Sequence, residues 1–266
     1  MDILKNNQII FNGLYTAVSI TENDTKNVYK KVIEAQRQAL RKVGADPSDC
    51  EEVLDLLEDA MYKFYTAALA LEELWSIHEF LQVSDQKLPE FYDGDITNNL
   101  TKIEFLLIAL LEQALNSWRS FLDFYLKYLI RLLAGKYIVS MSISDYKSEM
   151  KTYLKNNPED RKAEFIDEYI RNKVLCKTLD GEVESWGDIL KSLRDKITHQ
   201  KALRPTLVER KNSMGIEIKW PTVKDKDYPD LIQDFENGAF DMIKTLFPEI
   251  YGIDWIAGPY KIGMFE

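Results

Sequence analysis

The stretch "KIEFLLIALLEQALNSWRSFLDFYLKYLIRLLAG", residues 102–135, decides the fold. Ile103, Leu107, Leu110, Ala114, Trp118, Phe121, Tyr125, Tyr128 and Leu132 recur at steps of three or four, the spacing that brings side chains onto one face of a helix. Leu111, Leu115, Leu122, Leu126, Leu129 and Leu133 widen that face. A stripe so broad needs neighbours on more than one side, so this helix is expected at the centre of a bundle, ending near Gly135. Its remaining polar side carries Glu112, Asn116, Arg119, Asp123 and Lys127. The run "FLLIALL" at 105–111 is the longest unbroken apolar segment of the chain and far too short to span a bilayer.

Working outward, helical periodicity continues in both directions. "TKNVYKKVIEAQRQALRKVG" (25–44) reads as a helix, and Pro47 opens the next. That one is expected from about Glu51 to Leu81, with Leu54, Leu57, Met61, Phe64, Ala68, Leu71, Trp75 and His78 on one buried stripe. "SDCE" (48–51) and "TKIE" (101–104) have the form of capping boxes, and "SWGD" (185–188) is a weaker version. Between the two long helices, "LPEFYDGDITNN" (88–99) breaks the pattern and marks a candidate boundary. The expected organisation is an N-terminal helical region, 1–95, packing on a main domain, 96–266.

Further helices are expected over 144–156, over 158–177 with Phe165, Ile166, Tyr169, Ile170 and Val174 inward, and over 185–203 with Ile189, Leu190, Leu193 and Ile197 inward. "TLVERKNSMGIEIKW" (206–220) alternates β-branched and polar residues on both sides of a turn, which reads as a β-hairpin. A last helix runs to Pro248 despite Gly238, and the apolar tail after it is expected to dock on the bundle. The fold class is therefore mainly α: a helical bundle with additional N-terminal helices and one small β-hairpin near 206–220.

Composition limits the function. With 45% hydrophobic residues in 266, a packed core is ample, and a net charge of -10 argues against an indiscriminate nucleic-acid coat protein. The N-terminus lacks the basic start and apolar run of a signal peptide, and the lone cysteines Cys50 and Cys176 show no pairing or metal-site spacing. A soluble cytoplasmic protein with no membrane contact is expected. E-x-x-H pairs, H-E-x-x-H and Gly-rich phosphate loops are all missing from the sequence, so di-iron, zinc-peptidase and nucleotide-loop chemistry have no support, and no cofactor or metal is expected. His78 continues the Leu71 and Trp75 stripe and reads as a core or interface histidine.

One segment departs from the acidic average. From Lys191 to Lys211 seven basic residues face two acidic ones, a local +5, and within it stands "LRDKITH" (193–199). An imidazole titrating near neutrality can take a proton from a hydroxyl and return one to a leaving group, while a guanidinium can hold a phosphoryl oxygen as charge builds. On a helix, however, five residues separate Arg194 from His199 by about 7.5 Å of rise and about 140° of rotation. Two copies of the chain across a two-fold axis would bring both pairs around one cleft. The plain alternative is a solvated helix end, with basic residues favoured by the helix dipole.

"LRDKITH", on a late helix of an all-helical bundle, resembles the signature of HEPN domains, an Arg followed by a polar residue and then a His after four to six positions. The central helix also looks like the long first helix of that bundle, and the resemblance covers roughly residues 97–250. It implies a homodimeric, metal-independent endoribonuclease, often a toxin or an antiviral defence protein, with an antitoxin or a nucleotidyltransferase as a possible partner. Carried over, His199 would be the general acid/base, Arg194 the phosphate stabiliser and Asp195 their polar partner, while Lys191, Lys196, Lys201 and Arg204 would hold the RNA backbone. Two other readings stand beside it: a non-catalytic helical interaction module using the aromatic tail around Trp255 and Tyr260, and a site for a small phosphorylated ligand.

Overall fold

The structure, a computed structural model, describes residues 30–41, 47–83, 96–135, 143–176, 185–199, 205–209, 216–223 and 225–252. Helix α1 covers residues 30–41, α2 Pro47–Val83, α3 Ile96–Ala134, α4 Ile143–Asn156 and α5 Arg161–Tyr169, which runs into a π-helical turn at Ile170–Val174. Then come α6 (Trp186–His199), strands β1 (Thr206–Glu209), β2 (Ile216–Lys219), β3 (Thr222–Val223) and β4 (Lys226–Asp227), and α7 (Tyr228–Tyr251). The described residues thus form a mainly helical bundle with small antiparallel hairpins. β1 pairs with β2 in the register Thr206 to Lys219 and Glu209 to Ile216, which is the hairpin expected at 206–220.

Helix α3 is the axis of the core. Its broad stripe is buried as the periodicity requires: Leu107, Leu111, Ala114, Trp118, Phe121, Leu122, Leu126, Tyr128, Leu129 and Ile130 are closed to solvent. Phe64 of α2 meets Trp118 and Phe121 edge-on, at 5.2 and 5.5 Å between ring centroids, while Glu52 near the start of α2 pairs with Arg131 near the end of α3. The two long helices therefore run antiparallel. Edge-to-face aromatic contacts add about 0.5–1.5 kcal/mol per pair to the roughly 1.5–3 kcal/mol from burying each large side chain, so this seam is a major source of stability. Helix α1 lies against the far half of α3, where Tyr128 Oη donates to Gln36 Oε1. Residues from both sides of the candidate boundary share one continuous hydrophobic core.

Several local expectations change. α2 begins at Pro47, as expected of a proline at a first helical position, and α3 at Ile96, so "SDCE" and "TKIE" lie inside helices rather than capping them: packing of the paired helices starts each one ahead of its capping box. The Ser185 hydroxyl donates to Val174 O (2.7 Å) and Cys176 O (3.2 Å), tying α6 to the π-turn. Phe165, expected inward, is exposed, because the inner face of α5 is Ala163, Ile166 and Ile170. Pro158 sits in a turn ahead of α5, and Asp160 supplies the cap by accepting from Ala163 N. α7 continues through Pro248 to Tyr251 and stops at Gly252, whose left-handed φ of 67° lets its N–H bond Pro248 O. α3 ends as expected at Gly135, which also has positive φ. The apolar tail after Gly252 lies outside the described residues.

His78 is half-buried against aromatic rings, 5.3 Å from Trp75 and stacked on Trp220 at 6.4 Å, and its Nδ1 accepts from Trp220 Nε1. It joins α2 to the segment after β2. Among the described residues no helix is long and apolar enough to cross a membrane.

Candidate functional site on helix 6 and its junction with helix 3

The position of α6 is set at its first turn. A Cβ at Gly187 would lie 2.4 Å from Val174 O and 3.2 Å from Leu122 Cδ2, so only glycine lets α6 approach the π-turn and α3 this closely. The adjacent Trp186 lays its indole on Gly238 of α7, where a Cβ would come within 2.6–2.8 Å of the ring. Leu190 and Leu193 then bury the inner face. A helix held on three sides presents its remaining face in a fixed orientation.

That face carries the motif. Lys191 and Asp195 are exposed and Arg194 is half-exposed on the flank of the buried stripe. Arg194 Nη1 donates to Asp195 Oδ1 at 3.4 Å, long for a charge-assisted bond. With side chains 43% and 50% exposed, this pair contributes under about 1 kcal/mol and leaves the guanidinium able to exchange partners. α6 ends at His199, five residues beyond Arg194 on a regular helix, so one chain separates the two by about 7.5 Å along the axis and about 140° around it. The side chains of Lys196 and His199 lie outside what the structure describes, as do residues Lys201 and Arg204.

The tertiary fold adds groups that the motif does not contain. On the polar side of α3, Arg119 Nη2 lies 2.9 Å from Asp123 Oδ1, an ion pair without the alignment of a hydrogen bond. Burial pushes the Asp123 carboxyl above the usual carboxylate range, while the positive charges of Arg119, Lys127, Arg194 and Lys191 pull it back down. Two of those four cations stand on α3 and two on α6, helices that pack against each other, so the junction brings their charges to bear on one half-buried carboxylate. Together with Asp195 the cluster holds four positive and two negative groups, a net +2 on an acidic protein. Among the described residues no group of three His, Cys, Asp or Glu is arranged to hold a metal ion.

Comparison with family models, with curated proteins and with solved structures gives no match. Arg119, Asp123 and Lys127 are recognisable in sequence as the polar side of the central helix. Nothing in their spacing, however, joins them to a motif some seventy residues later. The signal they leave is a row of charges at i, i+4 and i+8 on the polar side of the helix.

Proposed function

We propose that the protein is a metal-independent endoribonuclease of the HEPN type, acting as a homodimer in the cytoplasm, in a toxin–antitoxin or antiviral defence role. The observation that supports this most is the placement of Arg194 and Lys191 on the solvent-facing flank of a rigidly seated helix, beside two further cations of α3. Such a field suits a phosphodiester. In the reaction, His199 takes the proton of the 2'-hydroxyl as that oxygen attacks the adjacent phosphorus. The bond to the 5'-oxygen breaks, and an imidazolium returns a proton to it, leaving a 2',3'-cyclic phosphate and a 5'-hydroxyl. Arg194 stabilises the charge on the non-bridging oxygens and Asp195 orients it, while Lys191, Lys196, Lys201 and Arg204 hold the flanking backbone. Because one chain separates Arg194 from His199, the cleft is built by two.

The test is cleavage of mixed cellular RNA in EDTA. Wild type is expected to cut and His199→Ala to lose at least 100-fold of the rate, the low end for removing an acid/base group. Equal cleavage by both, or by neither on a broad RNA panel, removes the proposal.

A second reading, a non-catalytic interaction module, is favoured by Phe105 and Leu106, which are 64% and 49% exposed on α3. It predicts that Phe105→Lys abolishes partner capture in cells while His199→Ala leaves it unchanged.

A further inference from the structure

We infer that α3 forms the second wall of the anion site: Arg119 supplies another guanidinium to the RNA phosphodiester, and Asp123 is the internal anion that the phosphodiester displaces. The inference rests on the ribonuclease reading for the identity of the ligand, but its geometry is independent of His199.

Arg119 is an unusual arginine for a structural ion pair. Its side chain is only 14% exposed, its Nη1 is buried with no hydrogen-bond acceptor, and its Nη2 faces Asp123 without hydrogen-bond alignment. A guanidinium has five donors, and burying them unmatched is costly, so a stable resting arrangement would use them better. The partner is equally ill-served. Asp123 Oδ1 accepts no hydrogen bond, and burial disfavours its charge even with four cations nearby. A carboxylate whose Oδ1 is held by proximity rather than by a directed bond is a weak competitor for a phosphate, which offers several oxygens in bidentate geometry. The cations surrounding it come from both helices, Arg119 and Lys127 from α3, Lys191 and Arg194 from α6, so a phosphate that replaced Asp123 would be gripped from both walls. Asp123 then keeps the cluster from binding anions indiscriminately, since a ligand must outcompete it.

The experiment measures binding of a 2'-O-methyl RNA oligonucleotide, which cannot be cut, to the full chain by fluorescence anisotropy across a salt series. Asp123→Asn, which keeps the shape and removes the competing charge, is expected to tighten binding several-fold. Arg119→Gln is expected to weaken it several-fold and to lower the salt slope by about 0.7. Arg161→Gln, at an exposed pair on α5 that is not among the charges acting on Asp123, controls for the change in net charge and should do neither. Should Arg119→Gln fail to fold, Arg119→Lys tests the same point, with weaker binding at unchanged slope. The inference is overturned if folded Asp123→Asn binds no tighter than wild type, if Arg119→Gln matches Arg161→Gln, or if the oligonucleotide does not bind at all. Binding that follows the expected pattern without any RNA cleavage by wild type sustains the anion site and sinks the ribonuclease. His199-dependent cleavage with binding indifferent to Arg119 and Asp123 does the reverse.

Discussion

Glu236 shows how a single residue sets a pH dependence. Its carboxylate is half-buried on α7 and accepts from Gln233 Nε2 at 2.6 Å, yet burial outweighs that bond and raises its pKa. A carboxyl whose folded pKa exceeds the unfolded one favours folding below the unfolded pKa, and that contribution is lost as pH rises through the folded value. Glu236→Gln keeps an acceptor for Gln233 and removes the charge. The variant is expected to melt higher than wild type at pH 7, with the gap closing as the pH falls toward 4; thermal melts across that range check it. The same physics acts at Asp123, where the surrounding cations offset part of the penalty. Arg194 and Asp195 lie at the other extreme: both are well exposed, and their 3.4 Å contact leaves little at stake in stability, so substitutions there report on function.

At the scale of elements, two glycines decide whether α6 can sit where it does. Replacing a helical Gly by Ala ordinarily gains up to about 1 kcal/mol, whereas overpacking a tight contact costs about 1–3 kcal/mol. At Gly238 the added methyl would meet Trp186 Cγ, Cδ1 and Nε1 at 2.6–2.8 Å, at the root of a ring packed on the core, so the clash outweighs the helix gain and Gly238→Ala is expected to lose about 1 kcal/mol. At Gly187 the obstacle is the Val174 carbonyl, a backbone atom 2.4 Å from the added methyl, so Gly187→Ala is expected to lose about 2 kcal/mol and a few degrees of melting temperature. Circular dichroism melts of the two variants would separate these cases. The helices and the hairpin were legible from periodicity, because each segment's own side chains state which face it buries. Their ends were less so. "SDCE" and "TKIE" have the form of capping boxes, but α2 and α3 stabilise one another along so much of their length that α2 starts one residue before its box and α3 five residues before its own. The π-turn at Ile170–Val174 had no visible signature, since its stabilising partner, the Ser185 hydroxyl, belongs to a later segment.

For the whole molecule, the separation of Arg194 and His199 on one helix makes a claim about assembly. If two chains build one cleft, mixing Arg194→Ala protein with His199→Ala protein is expected to restore part of the cleavage that each lacks alone, because a mixed dimer retains one intact Arg and one intact His. A site confined to a single chain would show no recovery. Sedimentation should accompany the assay, with a mass twice the 31.0 kDa of one chain. The motif itself was readable because its residues are contiguous. Arg119 and Asp123 were visible only as polar interruptions of α3, since their meeting with α6 is made by tertiary packing that no local pattern encodes.

Helix α3 touches α2, α4, α6, α7 and β1, and its inner face is sealed from Leu111 to Ile130. No local opening can release those backbone amides while the neighbours stay in place. Deuterium uptake at the centre of α3 should therefore proceed only through global unfolding and report the stability of the entire bundle. Since Arg119 stands on that same helix, a ligand gripping it would slow exchange across the whole core, far from the surface where it binds.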